Sequence, residues 1–459
     1  MNYPQALNYL NSFLNLERIL FQPNNRLWNL ARMRLLLEWF DHPEKKVSTV
    51  LIAGTKGKGS TGFFLESILA SAGIRTGFYS SPHLEDPRER IRIQRKKVSE
   101  ADWARAVSQI KRRLGPKHLP EKLGAFTYFE ILTLLAVLLF KEAGVEAGIF
   151  EVGMGGRLDA TNALGANVVI LTPVHMDHEA ILGNTIARIA AEKAAVVHPG
   201  ASVVLSPQLP EALRVIQTRI RKQKARLYPV RQGWQGEVGL KGDFQKINAA
   251  AAAMAAGVLR TRGFQIPEQA LRKGLQASDW PGRIEVFPGA LGPKRNLLID
   301  GAHNPASIQA LVRNLKGLPP FVIPAKARIH FKTQTMDPRS GFSQPSERVR
   351  GGDKLVIFGT SRDKNSAEML KILGSFFKNV ILCRNPNPRS QEIGALISQA
   401  RPWFQRIFPA ASVFEALEMA GRFSKPGDLT VATGSFYLIG EIRRKIKQKL
   451  RNGFPLSRE

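Results

Sequence analysis

A glycine-rich loop at residues 54–60 combines lysine and serine in a spacing that suits phosphate binding; its sequence is Gly-Thr-Lys-Gly-Lys-Gly-Ser. Glycines let successive backbone N–H groups face one ligand, and a lysine at a helix start can reach the outer phosphates of a nucleotide. The loop departs from the strict eight-residue pattern, because position 52 is Ile52 and Gly59 separates Lys58 from Ser60. On this stretch alone, nucleotide binding and an ordinary glycine-rich turn both stay open.

Three other predicted strands also end in residues that could hold a ligand or a metal ion. Open α/β sheets bind ligands at the carboxyl ends of their strands, so these side chains are expected near the loop. Glu151 suits the Mg²⁺ of a nucleotide, and His178 is a candidate second ligand. Taken singly, a solvated glutamate and a core or surface histidine are the commoner interpretations. The strands and their polar residues are 75–80 with Ser81, 147–152 with Glu151, and 167–172 with His178.

Hydrophobic periodicity predicts the elements that must position these residues. Residues 47–53 are apolar and β-branched and stop at Gly54, which predicts a buried strand. Apolar residues at helical spacing then predict a helix that begins near Lys58. Another predicted helix, over 185–197, carries Lys193 on a face rich in alanine and isoleucine, where a lysine normally extends to solvent.

The second half of the chain repeats the alternation of strands and helices. The whole pattern predicts an α/β fold with a mostly parallel sheet in a domain over 1–285 and a smaller doubly wound domain over 286–459. Residues 321–353 are basic, proline-containing and aperiodic, which predicts a surface insertion rather than an element of a compact domain. The strands of the second domain are predicted at 296–299, 354–358, 380–383 and 429–432.

The composition is that of a globular protein, with 44% hydrophobic residues among 459. The longest apolar run, residues 131–140, is far shorter than the roughly 20 residues of a membrane span. No signal peptide is expected, and the single cysteine, Cys383, excludes an intrachain disulfide. These features favour a reducing cytoplasm.

The charge balance is strongly basic, with 67 Lys plus Arg against 37 Asp plus Glu and a formal net charge of +30. Such an excess suits nucleic acid, and it also suits an enzyme with polyanionic substrates. The basic residues are scattered and no basic patch with interleaved aromatic residues stands out, so a generally basic proteome is the simpler explanation. A nucleic-acid-dependent P-loop ATPase stays open as an alternative of a different class.

Collectively, the motifs resemble the folylpolyglutamate synthase/dihydrofolate synthase family, within the wider class of Mur-type ATP-dependent amide ligases. In that family a glycine follows the loop lysine, which accounts for the departure at Gly59. The chain departs from the family pattern at two places. Lys56 stands where Asn is usual, and residues 85–87 (Glu-Asp-Pro) follow Ser-Pro-His-Leu where the family usually has a segment that contains Arg or Asn. The matching segments are 54–60, 81–84, 89–92, 129–133, 151–162, 177–178, 192–194, 281–283, 300–305 and 433–435.

The resemblance implies an N-terminal P-loop ATPase domain and a C-terminal Rossmann-like domain, with ATP and two Mg²⁺ ions as cofactors. It also implies that Lys193 is carbamylated, which would turn a cation into an anion beside the metal site. The implied catalytic residues are Lys58, Glu151, His178 and Lys193. The implied nucleotide-binding residues are Gly54, Thr55, Gly57, Lys58, Gly59, Ser60, Asn248, Arg283, Asp300 and His303. The implied metal ligands are Ser60, Ser81, Glu151 and His178, and the implied pterin-pocket residues are Thr127, Phe129, Asp159 and Ala160.

The implied reaction is the ligation of L-glutamate to dihydropteroate, or to the γ-carboxylate of a tetrahydrofolate, through an acyl phosphate. The expected partners are these small molecules, with neither nucleic acid nor membrane, and the chain is expected to be a monomer. One fold serves both acceptors, so the sequence leaves the choice between them open. A Mur ligase acting on a cell-wall precursor is the nearer alternative.

Overall fold

The structure, a computed structural model, describes residues 1–18, 29–317 and 354–451 of the chain. It divides into two compact units, Met1–Trp280 (unit 1) and Pro281–Glu459 (unit 2). The division falls a few residues before the predicted boundary at 285/286, so Arg283 belongs to unit 2. The predicted insertion at 321–353 lies outside the described residues.

Unit 1 is built on a mostly parallel sheet, as the sequence predicted. Its described strands are β1 (Ser48–Ala53), β2 (Thr76–Tyr79), β3 (Ile91–Ile93), β4 (Lys96–Lys97), β5 (Ala147–Glu151), β6 (Val168–Leu171), β7 (Ser202–Leu205) and β8 (Arg226–Pro229). Their order is β4-β3-β2-β5-β1-β6-β7-β8, and β3 and β4 pair in antiparallel fashion. The central strand is therefore β1, between β5 and β6, so the loop that follows it opens at the middle of the sheet edge.

Helices cover both faces of this sheet. Leu51 of β1 enters one apolar cluster, and Val50 and Ile52 enter another, so a strand with two covered faces has a continuous apolar sequence. Among the described residues, no helix is both long and apolar enough to span a membrane. The helices are α1 (Tyr3–Asn11), α2 (Leu30–Trp39), α3 (Lys58–Ser71), α4 (Glu100–Leu114), α5 (Tyr128–Glu142), α6 (Glu179–Leu182), α7 (Ile186–Ala194), α8 (Pro210–Lys222), α9 (Phe244–Arg260) and α10 (Glu268–Leu275).

Unit 2 has a second sheet with helices. Its described strands are β9 (Glu285–Phe287), β10 (Asn296–Ile299), β11 (Leu355–Phe358), β12 (Asn379–Cys383), β13 (Arg406–Ala410) and β14 (Leu429–Thr433). Their order is β13-β12-β11-β14-β10-β9, parallel except for β9. The sequence predicted the four inner strands and missed both edge strands, because β9 and β13 are largely half-buried and lack a continuous apolar run. The helices are α11 (Pro305–Gly317), α12 (Ser366–Gly374), α13 (Ile393–Ala400), α14 (Val413–Phe423) and α15 (Phe436–Arg451).

Candidate active site

The glycine-rich loop joins β1 to α3, and two glycines with positive φ shape it. Gly54 has a φ of +145°, and Gly57, which precedes α3, has a φ of +88°. A side chain at Gly57 would collide with the side chain of Asn248. Lys58 begins α3, and its Nζ donates to the Gly54 carbonyl oxygen at 3.3 Å. The lysine thus folds back over the loop.

Thr55 ties this loop to the chain that follows β6. Its backbone N–H donates to the Pro173 carbonyl at 3.0 Å. Its hydroxyl donates to the His175 carbonyl and accepts from the His175 N–H, each at 3.1 Å. Burial, helped by the charge of Lys56, lowers the pKa of His175 to about 4. The Thr55 side chain therefore serves the shape of the loop, and its imidazole neighbour is neutral at neutral pH.

A buried chain of two side-chain hydrogen bonds links Ser60 to α9. The Gln245 side-chain amide donates to the Ser60 hydroxyl at 3.3 Å, and the Asn248 amide donates to Gln245 Oε1 at 2.8 Å. All three residues are buried. The same Asn248 packs against Gly57, so one turn of α9 fixes both the serine and the glycine of the loop.

Glu151 closes the other side of the loop, at the end of β5. A Cβ placed on Gly59 would lie 3.4 Å from Glu151 Oε2, which is ordinary contact distance. The backbone N–H of Ser81 donates to the same oxygen at 3.3 Å. The structure therefore brings together Gly59, Ser81 and Glu151, which the sequence placed at three separate strand ends.

His178 follows β6, the neighbour of β1 on the opposite side from β5. It adopts a left-handed conformation, with a φ of +52°, immediately before α6. Its backbone N–H donates to Asp177 Oδ1 at 3.0 Å, and its Nε2 lies 3.8 Å from the same oxygen. The side chain is 22% exposed, and the turn and Asp177 both contribute to its position.

Lys193 lies on α7 and is buried, with 5% of the residue exposed. The helix packs closely on the glycine loop after β5: a Cβ on Gly156 would lie 3.1 Å from the Lys193 Cα and 2.6 Å from the Glu192 carbonyl oxygen. Arg157 reinforces this contact, since its N–H donates to the Glu192 carbonyl and its Nε to Glu192 Oε1, both at 2.9 Å. Lys193 is thus not a lysine that extends to solvent.

Asp159 holds the glycine loop in place. Its Oδ2 accepts from the N–H groups of Gly153 and Met154, both at 3.0 Å. Its Oδ1 accepts from the Thr161 N–H at 3.0 Å and from the Thr161 hydroxyl at 2.6 Å. Burial raises the pKa of the Asp159 carboxyl, while these four bonds act in the opposite direction. Ala160 follows it, buried at the start of a short 3₁₀ helix.

Thr127 and Phe129 stand at the start of α5. Thr127 caps the helix in a capping box, with its hydroxyl accepting from the Glu130 N–H at 3.2 Å and its own N–H donating to Glu130 Oε2 at 2.8 Å. The Phe129 ring packs 5.7 Å from the Tyr79 ring. A Cβ on Gly153 would lie 2.7 Å from Phe129 Cζ, so the phenylalanine and the glycine loop share one wall.

A second buried polar group, which the sequence did not reveal, lies beside α5. The Nε of Arg90 donates to His83 Nδ1 at 2.8 Å, and its two terminal nitrogens bind the Glu17 carboxylate at 2.8 and 2.6 Å. The guanidinium lies 5.9 Å from the centre of the Tyr128 ring. Burial, helped by the charge of Arg90, lowers the pKa of His83 to about 3.

In unit 2, Asp300 ends β10 and organises the turn around it. Its Oδ2 accepts from the Ile284 N–H at 3.0 Å, and its Oδ1 accepts from the Ala302 N–H at 2.9 Å. Burial raises the pKa of the Asp300 carboxyl, and the nearby Arg283 opposes that shift. The buried carboxylate therefore fixes the loop that follows β10.

Arg283 and His303 meet around Phe436, at the start of α15. The Arg283 guanidinium lies 4.5 Å from the centre of the Phe436 ring, and the His303 ring lies 5.5 Å from it. His303 Nδ1 is 2.8 Å from the Gly301 carbonyl oxygen, which makes Nδ1 the protonated ring nitrogen. The three predicted nucleotide residues of unit 2 are thus neighbours at one strand end.

Similarity to known proteins agrees with this geometry. No protein-family model matches the chain. A Bacillus subtilis protein named dihydrofolate synthase/folylpolyglutamate synthase is 30% identical over 459 residues, covering 91% of this chain and 95% of the relative. This chain belongs to the folylpolyglutamate synthase/dihydrofolate synthase family.

Solved structures of the family share the fold. Escherichia coli FolC in complex with DHPP and ADP has a TM-score of 0.78 at 26% identity, over 98% of this chain and 99% of that chain. A bifunctional folylpolyglutamate synthase/dihydrofolate synthase with Mn, AMPPNP and L-glutamate bound has a TM-score of 0.77 at 27% identity, over 97% of this chain and 98% of that chain. The predicted α/β fold class and the predicted family are both confirmed.

The donor atoms beside the loop fit a hard metal ion that is shared with a nucleotide. The described part of the chain holds no group of three or more His, Cys, Asp or Glu side chains that could bind a metal ion. The Glu151 carboxylate and the Ser60 hydroxyl are nevertheless oxygen donors of the kind that Mg²⁺ prefers. Mg²⁺ usually completes its coordination with water and substrate phosphates rather than with a full protein cage.

Three residues that shape the site were missed from the sequence: Gln245, Arg90 and Glu17. Gln245 carried a usable signal, since it stands three positions before Asn248 and so shares its helix face. Arg90 lies in a segment typical of the family, but nothing local shows what it binds. Glu17 carries no signal, because its partner is 73 positions away.

Proposed function

We propose that this protein ligates L-glutamate to dihydropteroate, or to the γ-carboxylate of a tetrahydrofolate, with ATP and Mg²⁺. The observation that carries the proposal is that Glu151 lies beside the phosphate loop, where a Cβ on Gly59 would be 3.4 Å from its Oε2, and that the Ser81 N–H donates to the same carboxylate. That arrangement supports a role of the loop in binding the triphosphate and of Glu151 in holding the metal ion. The similarity to enzymes named for this reaction extends over most of the chain.

The reaction proceeds in two steps. A carboxylate oxygen of the acceptor attacks the γ-phosphorus of ATP, and the bond to the ADP oxygen breaks, which gives an acyl phosphate and ADP. The neutral amine of glutamate then attacks the acyl carbon, phosphate leaves, and the amine loses a proton, which gives the amide. A bound Mg²⁺ would offset the charge of the phosphates. The protein mainly positions the reactants and stabilises the transferring phosphoryl group.

The loop residues have distinct roles in this proposal. The backbone N–H groups of residues 57–60 surround the phosphates at the start of α3. Lys58, which now donates to the carbonyl of Gly54, turns to the outer phosphates. Ser60 and Glu151 hold the metal ion, together with Ser81 and His178 as further ligands.

Lys193 is proposed to carry a carbamate. Its neutral amine attacks CO₂ and loses a proton, which leaves an anion where the unmodified side chain would be a cation. A buried position beside the loop that follows Glu151 supports this role, because burial favours the neutral amine that the modification requires. The carbamate would then support the metal site.

The remaining roles are proposed as the family resemblance implies them. Asn248 in unit 1 binds the nucleotide. Arg283, Asp300 and His303 in unit 2 do the same, while Thr127, Phe129, Asp159 and Ala160 line the pterin pocket. The protein is proposed to act as a cytoplasmic monomer on small molecules.

The test is an assay of the purified protein with ATP, Mg²⁺, labelled L-glutamate and each acceptor in turn. Incorporation of label into dihydropteroate or tetrahydrofolate, with one ADP formed for each amide, is the expected result. A parallel reaction with polynucleotide and no acceptor should leave ATP turnover unchanged. Turnover that polynucleotide stimulates, or that needs a cell-wall precursor as acceptor, would overturn the proposal.

A further inference from the structure

The loop after β2, residues 81–86, is held at both ends by groups on two sides of the site. At its start, the Ser81 N–H donates to Glu151 beside the phosphate loop. At its end, the Glu89 carboxylate accepts from the backbone N–H groups of residues 84–86, at distances from 2.8 to 3.2 Å. A loop fixed at both ends holds the side chain at its middle, His83, in a defined place.

The ring of His83 is fixed in one tautomer by its partner. Its Nδ1 lies 2.8 Å from Arg90 Nε, and an arginine nitrogen can only donate. Nδ1 must therefore accept, and the proton of the neutral ring must be on Nε2. Among the described residues, the Arg90 contact is the hydrogen bond that the structure records for this ring, which leaves Nε2–H as a donor of fixed direction.

Arg90 is itself held firmly. It is almost fully buried, and its terminal nitrogens bind the Glu17 carboxylate in a bidentate pair at 2.8 and 2.6 Å. Its guanidinium also lies over the Tyr128 ring. A planar guanidinium with this many fixed contacts cannot rotate away from the histidine, so Glu17 and Tyr128 determine the orientation of His83 through Arg90.

The surroundings indicate what the donor would meet. Arg90, the partner of His83, lies 5.9 Å from the centre of the Tyr128 ring, and the ring of the next residue, Phe129, packs 5.7 Å from the Tyr79 ring. The loop therefore runs from the phosphate loop to an aromatic wall. A substrate with an aromatic body on that wall must pass beside this loop, and in both acceptors that body ends in an aryl carbonyl, which is the carboxylate itself in dihydropteroate and an amide in a tetrahydrofolate.

We infer that His83 donates a hydrogen bond from Nε2 to the aryl carboxylate or aryl amide oxygen of the acceptor, and that Arg90 and Glu17 are positioning residues that fix its ring and its tautomer. This inference rests on the proposed function, because it assigns one contact of the same substrate. The competing explanation is that the three residues only hold the loop in shape.

The tautomer is measured first, by ¹⁵N NMR of the histidine rings in the labelled full-length protein. The His83 signals are identified by their loss in His83→Gln. The expected result is an unprotonated Nδ1 and a protonated Nε2 in the wild type, with a mixture of tautomers in Arg90→Lys. A wild-type ring protonated on Nδ1, or on both nitrogens, would overturn the inference.

The substrate contact is measured by steady-state kinetics with dihydropteroate and with tetrahydrofolate. His83→Ala should raise the KM for the acceptor about three- to tenfold, the size expected for one hydrogen bond, with the KM for ATP unchanged. Arg90→Lys and Glu17→Gln should shift the same KM by smaller factors. His118→Gln, which changes an exposed histidine outside the site, is the matched control and should shift neither KM.

Failures of the two proposals are distinguishable. Wild-type protein that ligates glutamate, with a His83→Ala variant that melts like the wild type and has an unchanged acceptor KM, overturns this inference alone. Wild-type protein without ligase activity overturns the proposed function and this inference together. Should His83→Ala fail to fold, His83→Gln provides the same KM comparison, and an unchanged KM there also overturns the inference.

Discussion

The phosphate side of the site (residues 54–60 with Ser81 and Glu151) and its acceptor side (Thr127, Phe129 and Asp159) hold their polar groups differently. On the phosphate side, the Lys58 ammonium makes one long hydrogen bond, to a carbonyl of its own loop. On the acceptor side, the Asp159 carboxylate accepts four hydrogen bonds and Thr127 caps a helix. Motif residues on the two sides therefore differ in how much they stabilise the local structure: Lys58 contributes little, whereas Asp159 and Thr127 hold the backbone around them.

This difference predicts different effects of substitution. The shape of the phosphate loop comes from glycines and from partners such as Thr55 and Gln245, so a side chain there can be lost without loss of the fold. On the acceptor side, the residues that are proposed to bind the acceptor also hold their own backbone. Substitutions on the phosphate side should reduce activity alone, and substitutions on the acceptor side should reduce stability and acceptor binding together.

Outside the phosphate loop itself, the largest expected effect on activity is that of Lys193→Ala, next to the phosphate side. Loss of a proposed anion at the metal site should lower kcat by about a hundredfold or more. Small carboxylic acids or added CO₂ should restore part of the activity. Assays at controlled CO₂, with the exposed Lys222→Ala as control, measure both effects. Full activity of Lys193→Ala would contradict the proposed role of this lysine.

Behind the acceptor side, Arg32→Met should cause the largest loss of stability. Arg32 Nε donates to both Glu130 oxygens at 2.9 and 3.1 Å, and both side chains are buried. Removing the cation leaves a buried carboxylate uncompensated, so the free energy of unfolding should fall by about 3–5 kcal/mol in urea titrations. The double variant Arg32→Met/Glu130→Gln should recover much of this loss, and a single variant as stable as the wild type would show that the pair does not support α5.

Glu66 is a buried glutamate on α3, the helix that follows the phosphate loop. It lies fully buried on α3, 3.1 Å from an Arg92 nitrogen, and its Oε1 accepts from the Arg95 N–H at 3.1 Å. Burial raises the pKa of its carboxyl to about 7, despite the opposing effect of Arg92. The folded state therefore holds this proton in a pH range where the unfolded chain has lost it.

The consequence is a loss of stability with rising pH. Below 4.5, the ordinary pKa of a glutamate side chain, the carboxyl is protonated in both states, and between 4.5 and about 7 only the folded state keeps the proton. The contribution of Glu66 to the free energy of unfolding should fall across that window and level off above it. Urea titrations from pH 5 to pH 8 should show a smaller decline in Glu66→Gln than in the wild type. Identical pH dependence in the two proteins would contradict the shifted pKa.

Thr127→Ala should have the smallest effect on stability, about 1 kcal/mol, the usual cost of losing a helix cap. Ser99→Ala is the matched control, since Ser99 caps α4 by accepting from the Asp102 N–H at 3.0 Å. Both variants should lose similar stability, but only Thr127→Ala should raise the KM for the acceptor. Equal kinetics for the two variants would mean that Thr127 is a cap and no more.

Much of the fold could be predicted because local patterns determine it. The strand Ser48–Ala53 lies within a residue of its predicted limits and the helix Lys58–Ser71 begins where it was predicted, since an apolar run that stops at glycine and a periodic apolar face are local signals. The edge strand Arg406–Ala410 was missed because it is largely half-buried and contains Pro409, which gives neither alternation nor a continuous apolar run.

Less of the candidate site could be predicted. The motifs indicated which strand ends carry chemistry, and topology brings Gly59, Ser81 and Glu151 together as expected. Motifs do not show hydrogen bonds between distant residues, such as the pair of Arg90 with Glu17. Nor do they show that a carboxylate such as Asp159 accepts its hydrogen bonds from the backbone and side chains of its own loop.

The most direct test of the contrast between the two sides is a paired measurement on Lys58→Ala and Asp159→Asn. For each variant, kcat/KM and the melting temperature are determined with the same acceptor. Lys58→Ala should lose on the order of a thousandfold in kcat/KM with an unchanged melting temperature. Asp159→Asn should lower the melting temperature and raise the acceptor KM together. Near-normal turnover in Lys58→Ala, or a Lys58→Ala variant that melts well below the wild type, would contradict the assignment of the phosphate loop.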